Sequence, residues 1–260
     1  PRQAWPQVAR RYMESFKLAR AERRHFAPSG FAVKPLDKRS GELPPLKLDH
    51  LHLMTDETGM LQHASFTIPN YREGYSIDDN ARALIVSTHL EELGSGEAFE
   101  LASRYLAFIG YAFNTETGRF RNFMDYQRNW LEENGSDDSH GRTLWALGTV
   151  LGRSNTSALQ SMAGWVFEQA LPAILKTTSP RAWAFALIGI HEYLRRFEGD
   201  RRANQVRDEL AGRLLTLYKN SRSDEWCWYE AGLTYCNAVL PQALLMCGQW
   251  IPDNAMTEAG

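Results

Sequence analysis

The 260-residue chain has no excess of charge of one sign, no basic block and no long apolar run. Its 29 Lys and Arg residues nearly balance 31 Asp and Glu residues, which gives a net charge of −2 at pH 7. A dedicated nucleic-acid-binding protein needs a basic patch, so the sequence excludes this class. The longest apolar run, residues 182–190, is far shorter than the ~20 residues that span a bilayer, so we expect no membrane span.

Cysteine is scarce in this chain. The three cysteines, Cys227, Cys236 and Cys247, are odd in number and are spaced unlike those of a common zinc site. We therefore predict buried, reduced thiols, a cytoplasmic protein, and no bound metal or cofactor. Since the sequence does not begin with Met and shows no signal peptide, we expect it to be a piece of a longer protein.

After residue 74 the chain alternates between two kinds of predicted helix. Residues 81–90, 143–151, 182–190 and 238–246 are apolar on nearly all sides, which is typical of helices buried all round. The segments between them carry apolar residues on one face only, as amphipathic helices do. This alternation predicts an all-α fold with two concentric layers, an (α/α)6 toroid. About four helical hairpins are present, so we expect the toroid to be incomplete.

The N-terminal part of the chain divides into predicted segments of different composition. Residues 1–26 are predicted to form a helix that buries an apolar stripe, which includes Tyr12 and Phe16. Residues 27–46 are rich in Pro and Gly and are expected to form a linker. The toroid domain is assigned to residues 47–260, and a small irregular segment or hairpin is expected ahead of its first long helix.

The loops that precede the inner helices combine carboxylates, amides and aromatic rings, a mixture that binds sugar rings and their hydroxyls. Cleavage of a glycosidic bond requires two carboxyl groups, one to protonate the leaving oxygen and one to activate water or to attack. We therefore select Asp79, Asp138 and Glu230 as candidate catalytic residues. Glu230 follows a Trp-x-Trp-Tyr run, an apolar setting that suits a general acid.

Ten further residues of these loops and helix starts are candidate substrate ligands. Their polar groups can hydrogen-bond to sugar hydroxyls, and their aromatic rings can stack on the C–H faces of a sugar. They are Tyr75, Asp78, Asn122, Asp125, Trp130, His140, Arg142, Trp228, Tyr229 and Asn237.

A purely structural role is the alternative for the acidic residues. An aspartate or serine at a helix start suits an N-cap, which predicts Asp78 or Asp79 as the cap of one helix and Asp138 or Ser139 as the cap of the next. Each acidic pair also has an arginine four positions further on, so Asp78 can pair with Arg82, and Asp138 with Arg142. Capping and pairing use one carboxylate for each loop, whereas each loop has two adjacent ones.

Three stretches carry a family resemblance: residues 74–84 (GYSIDDNARAL), 120–126 (FRNFMDY) and 136–148 (SDDSHGRTLWALG). They resemble a bacterial domain of the six-hairpin glycosidase-like superfamily that is often fused behind a glycosyltransferase with two Rossmann domains. Residues 62–64 and 228–230 fit the same pattern, and the N-terminal helix is similar to the last helix of such a glycosyltransferase. The resemblance covers about residues 47–260 and implies a carbohydrate-active domain of (α/α)6 type.

The leading hypothesis is a glycoside hydrolase-like domain that acts on a bacterial oligo- or polysaccharide with paired carboxylates. By analogy with other toroids, the acid and base would lie about 6.5–9.5 Å apart with a water between them, which predicts inversion. The alternative is a non-catalytic module that binds or presents glycan to a fused glycosyltransferase. Terpene cyclases need a further acidic residue after Asp79, and sugar epimerases rely on paired histidines, so both are set aside.

Overall fold

The computed structural model describes residues 5–23 and 46–260, and its contacts divide the chain into two units, Pro1–Lys47 and Leu48–Gly260. The first unit contains helix α1 (Trp5–Arg23). The apolar stripe predicted to be buried on this helix is exposed, with Tyr12 at 60% and Phe16 at 63%. The described part of this unit holds a single helix, which offers nothing to bury the stripe. The predicted linker, residues 27–46, lies outside the described residues except for Leu46.

The second unit is helix-rich, which confirms the all-α class. Its helices are α2 (Asp49–Leu53), α3 (Ile77–Glu92), α4 (Ala98–Ala112), α5 (Asp137–Arg153), α6 (Ser157–Ala170), α7 (Pro180–Leu194), α8 (Arg201–Ser221), α9 (Val239–Trp250) and α10 (Asn254–Ala259). Two 3-10 helices cover Tyr71–Glu73 and Leu171–Lys176. Among the described residues, no helix is both long and apolar enough to cross a membrane.

Three short antiparallel pairs of strands lie between the helices. The strands are β1 (Ala64–Ser65), β2 (Ile68–Pro69), β3 (Tyr75–Ser76), β4 (Phe113–Asn114), β5 (Arg119–Phe120) and β6 (Phe123–Met124), paired as β1–β2, β3–β6 and β4–β5. The β1–β2 pair is the small hairpin expected ahead of the first long helix. The β3–β6 pair ties the start of α3 to the loop before α5, and Ile77 N–H donates to the Asn122 carbonyl at 2.8 Å.

The long helices pack in a regular order. Helices α3, α5, α7 and α9 contact one another in chain order, and each also packs against the helix that follows it, α4, α6, α8 or α10. Helices α5 and α7 bury residues on nearly all sides, whereas α8 buries only the face that carries Val206, Leu210 and Leu214. The difference matches the two apolar patterns in the sequence, because a helix in the middle of the row has neighbours on every side.

Helices α5 and α7 approach so closely that their backbones touch. A Cβ atom added at Gly148 would clash with the carbonyl of Gly189, and one added at Gly189 would clash with the carbonyl of Leu144. A Cβ added at Gly141 would likewise clash with the backbone of Ala182. Glycine at these positions therefore sets the distance between the two helices.

The three cysteines are free, and only one of them is buried as predicted. Cys247 is buried in α9, whereas Cys227 and Cys236 are exposed. The prediction is wrong for these two because it assumed helical residues between them. They lie instead in the irregular segment between α8 and α9.

We expect the Gly148→Ala substitution to lower the free energy of unfolding by about 1–3 kcal/mol, because the methyl group forces α5 and α7 apart. Gly212→Ala in α8 is the control, since nothing lies within 4 Å of its added Cβ. This control should raise the free energy by about 0.5–1 kcal/mol, because alanine is the better helix former. Urea unfolding followed by circular dichroism measures both changes, and equal effects would contradict the close contact.

Candidate functional site

The three helices α3, α5 and α7 begin in the same way, with a serine as N-cap. The hydroxyl oxygens of Ser76, Ser136 and Ser179 accept from the backbone N–H group three positions further on, at 3.1, 3.1 and 3.4 Å. The prediction that Asp78 or Asp79 caps α3, and that Asp138 or Ser139 caps α5, is therefore wrong. A serine hydroxyl already accepts from one free N–H group at each helix start, which leaves the aspartates available for other contacts.

A cavity of about 450 Å³ lies where the segments leading into α3 and α5 meet. It is lined by Gln62, His63, Ser76, Asp78, Asp79, Arg82, Asn122, Phe123, Ser136, Asp138, Ser139, Arg142 and Tyr235. Five of the residues selected from the sequence line it, namely Asp78, Asp79, Asn122, Asp138 and Arg142. Its walls carry three carboxylates, two guanidinium groups, two side-chain amides and two aromatic rings.

Asp78 joins two helices across this cavity. One of its oxygens forms an ion pair with Nε of the buried Arg142 on α5, and the other is 2.6 Å from Nη2 of Arg82. The predicted pair of Asp78 with Arg82 is therefore present. The predicted pair of Asp138 with Arg142 is replaced, because α3 packs beside α5 and brings Asp78 to Arg142. The guanidinium carbon of Arg142 also lies 4.0 Å from the ring centroid of Phe185.

Asp79 has a neutral hydrogen-bond donor and a more distant counter-charge than Asp78. Its Oδ2 accepts from the Ser76 hydroxyl at 2.5 Å, and Nη1 of Arg82 is 3.6 Å from its Oδ1. Burial raises the pKa of Asp79, and the neighbouring charge of Asp78 acts in the same direction against the opposing effects of Ser76 and Arg82. A carboxyl group with a raised pKa is suited to donate a proton.

The acidic pair at the start of α5 divides between two environments. Asp137 faces away from the cavity, with one oxygen 2.9 Å from Nη2 of Arg119 and the other accepting from Thr178 N–H at 2.9 Å. Asp138 lines the cavity and accepts from the hydroxyl of Ser179 at the start of α7. Asp138 is thus the member of this pair that can reach a ligand.

Glu230 and Asn237 do not line the cavity. Nη1 and Nη2 of Arg181 donate to the two carboxylate oxygens of Glu230, at 3.0 and 2.8 Å. The same Nη2 donates to Asn237 Oδ1 at 3.2 Å. Both predicted site residues thus accept hydrogen bonds from Arg181, a buried arginine on α7.

Tyr229 and Trp228 pack in the same segment, also away from the cavity. Tyr229 is 1% exposed, and its hydroxyl donates to the carbonyl of Ala259 at 3.1 Å. Burial raises the pKa of the Tyr229 hydroxyl. Trp228 is half-buried, and its indole lies edge-on to Tyr229. Both rings therefore pack the segment before α9 against the core.

Tyr75 and Asp125 hold local structure around β3 and β6. Tyr75 is 1% exposed and its hydroxyl donates to Oδ2 of Asp56. Burial raises the pKa of Tyr75, and the hydrogen bond to the Asp56 carboxylate acts in the same direction. Asp125 closes a turn by accepting from Asn129 N–H at 2.8 Å, and this bond lowers the pKa of Asp125. Neither residue lines the cavity.

Trp130 and His140 pack against other aromatic rings and do not line the cavity. Trp130 contacts Phe108 and Tyr111, with ring centroids 5.6 and 5.4 Å away. His140 is 1% exposed, and its ring lies 5.3 Å from that of Phe120. Burial lowers the pKa of His140 to about 3, so its ring is neutral at pH 7. This setting does not suit a sugar ligand or a base that exchanges protons with water.

Sequence reasoning did not select several residues that line the cavity, among them Gln62, His63, Phe123 and Tyr235. Gln62 and His63 belong to a motif that supported only the family resemblance. The hydrogen bond from Gln62 N–H to the Gly74 carbonyl holds their segment beside the start of α3, where both residues line the cavity. Tyr235 lies 157 residues after Asp78 and 97 residues after Asp138 in the chain, and no local pattern links it to α3 or α5. Its aromatic side chain in a loop with Glu230 was the one available signal.

The comparisons with known proteins assign the chain to no family. No protein-family model matches the chain, and no curated protein is significantly similar to it in sequence. In the described part of the chain, no group of three or more His, Cys, Asp or Glu side chains is arranged to hold a metal ion. The chemistry of the site therefore has to be inferred from the cavity residues themselves.

We expect Asp78→Asn to destabilise the protein by about 3 kcal/mol, because it leaves the buried Arg142 guanidinium without its counter-charge. Asp79→Asn should leave stability unchanged or higher at pH 7. The raised pKa of Asp79 means that its ionised form costs stability above that pKa, and the cost disappears as pH falls through it. Urea unfolding at pH 7 and at acidic pH tests both, and a larger loss for Asp79→Asn would contradict these assignments.

Proposed function

We propose that the second unit is a carbohydrate-active, glycoside hydrolase-like domain of the (α/α)6 toroid type. The observation that carries the proposal is the cavity of about 450 Å³, in which three aspartates share the walls with amide and aromatic side chains. This volume is within the range of ligand sites, and the mixture of groups suits a sugar ring and its hydroxyls. We propose a bacterial oligo- or polysaccharide as the substrate, and a glycosyltransferase as the possible fused partner.

In this proposal Asp79 is the general acid and Asp138 the general base. Asp79 donates its proton to the glycosidic oxygen while the bond from that oxygen to the anomeric carbon breaks. Asp138 takes a proton from the water whose oxygen forms the new bond to the anomeric carbon, with inversion. The raised pKa of Asp79 supports the first role. Asp78 holds Arg142 and Arg82 and orients the wall.

The acid role that the sequence suggests for Glu230 has less support than the same role for Asp79. Glu230 does not line the cavity, and both of its oxygens accept from Arg181. A general acid must lie within hydrogen-bond reach of the proton acceptor on the substrate. Asp79 lines the cavity in which the proposed substrate would bind.

A non-catalytic glycan-binding module is the second candidate function. The observation that favours it is that two cavity carboxylates already hold the fold together, Asp78 through Arg142 and Asp138 through Ser179. A module of this kind binds sugar with hydrogen-bonding groups and needs no proton transfer. Its glycan binding should survive the loss of any single carboxylate.

The decisive experiment is a screen of the chain against α- and β-linked glycans with release of reducing sugar as the readout. We expect Asp79→Asn and Asp138→Asn each to lower kcat by about 10²–10⁴-fold, the range for a lost general acid or base. Glu230→Gln is the comparison variant for the acid role: it should retain kcat, and any change should fall on KM. Sugar binding without turnover in the unsubstituted chain, unchanged by both aspartate variants, would favour the binding module.

The pH profile provides an independent test of the acid. Because Asp79 must be protonated to act, kcat/KM should fall as the pH rises through its pKa, which burial raises above the ordinary aspartate value. We expect Asp79→Asn to lose this alkaline limb and Glu230→Gln to keep it. The reverse result, with the limb lost only in Glu230→Gln, would return the acid role to Glu230.

A further inference from the structure

One aromatic side chain reaches the cavity from a distant part of the chain. Tyr235 lies in the irregular segment of residues 222–238, which connects α8 to α9. It lines the cavity together with residues from the starts of α3 and α5, and 48% of its surface is exposed. A half-exposed tyrosine offers an apolar ring and a polar hydroxyl to a ligand in the cavity.

A buried arginine on α7 fixes the segment that carries Tyr235. Arg181 is 5% exposed, and its Nε donates to the backbone carbonyl of Tyr235 at 2.5 Å. Its two Nη atoms donate to both oxygens of Glu230 and to Asn237 Oδ1. All of these acceptors belong to the one segment, so a single guanidinium ties its backbone and two of its side chains to α7.

The same guanidinium also orients the Tyr235 ring. The guanidinium carbon of Arg181 lies 5.0 Å from the ring centroid, within the range of a cation–π contact. The next residue, Cys236, has a φ of +45°, a left-handed backbone conformation that residues other than glycine rarely adopt. Such a conformation persists where the surrounding contacts hold it, and the bonds to Arg181 on both sides of Cys236 supply them.

We propose that Tyr235 is a sugar-stacking platform of the cavity, and that Arg181 and Glu230 are positioning residues that hold it there. The inference rests on the proposed carbohydrate function and deepens it, because it names the aromatic face that recognises the apolar side of a sugar ring. Glu230 acts through Arg181 and touches no substrate. Phe123, 37% exposed, is the other aromatic residue that lines the cavity.

The test is calorimetric titration of the full chain with four probes, maltotetraose, cellotetraose, xylotetraose and chitotetraose. For the probe that binds, Tyr235→Ala should raise Kd by about tenfold or more, whereas Tyr235→Phe, which keeps the ring, should stay within about twofold. Tyr126→Ala is the matched control, since Tyr126 is also 48% exposed but does not line the cavity. It should leave Kd unchanged.

The positioning role of Glu230 has its own readout. Glu230→Ala should raise Kd as Tyr235→Ala does, and the double variant should be no weaker than either single one, because both changes remove the same platform. Glu230→Gln, which keeps an acceptor for Arg181, should restore part of the affinity. Amide hydrogen exchange should rise in residues 222–238 of Glu230→Ala and stay low in the helices, which separates loss of positioning from loss of fold.

The outcomes separate this inference from the function on which it rests. If none of the four probes binds the unsubstituted chain, the carbohydrate proposal fails and this inference fails with it. If a probe binds and Tyr235→Ala binds it equally well, the inference is overturned while the carbohydrate proposal stands. Additive losses in the double variant would overturn the positioning role of Glu230.

Discussion

The backbone contact between α5 and α7 is the constraint on which the site depends. Without a Cβ at Gly148 and Gly189, the two helices can lie close enough for their starts to share side-chain contacts. The hydroxyl of Ser179 then reaches Asp138 across the gap between the helices. The position of α7 in turn sets where Arg181 meets the segment before α9. A wider spacing between α5 and α7 would disturb both of these hydrogen bonds, although neither involves a glycine.

The counter-charges divide unequally between the two adjacent aspartates at the start of α3. A buried guanidinium is stable only with a counter-charge, and Asp78 provides it for Arg142. Arg82 then also lies closer to Asp78 than to Asp79, at 2.6 against 3.6 Å. The second aspartate is left with burial and a like-charged neighbour, which together raise its pKa. Two adjacent aspartates thus acquire different properties because a single arginine crosses from the next helix.

The sequence predicts what depends on local pattern and misses what depends on packing. Apolar residues on all sides of 143–151 and 182–190 identified two buried helices, and the acidic loops before α3 and α5 did supply cavity residues. Spacing within one helix showed that Asp78 can pair with Arg82, but the distance from Asp78 to Arg142 depends on how two helices pack. The same holds for Glu230, whose partner Arg181 lies 49 residues away. Serine and aspartate both cap helices, so the pattern could not choose between them.

The repeated helix start carries different chemistry at its second position. Two residues after the capping serine stand Asp78 in α3, Asp138 in α5 and Arg181 in α7. A carboxylate at position 181 would add negative charge beside a cavity that already holds Asp78, Asp79 and Asp138. The guanidinium instead attracts the carboxylate of Glu230 and the carbonyl of Tyr235, which draws an aromatic residue to the cavity. One change of charge in a repeated position thus accompanies an acidic wall and an aromatic wall in the cavity, which in the proposed function would meet the hydroxyls and the apolar C–H face of a sugar ring.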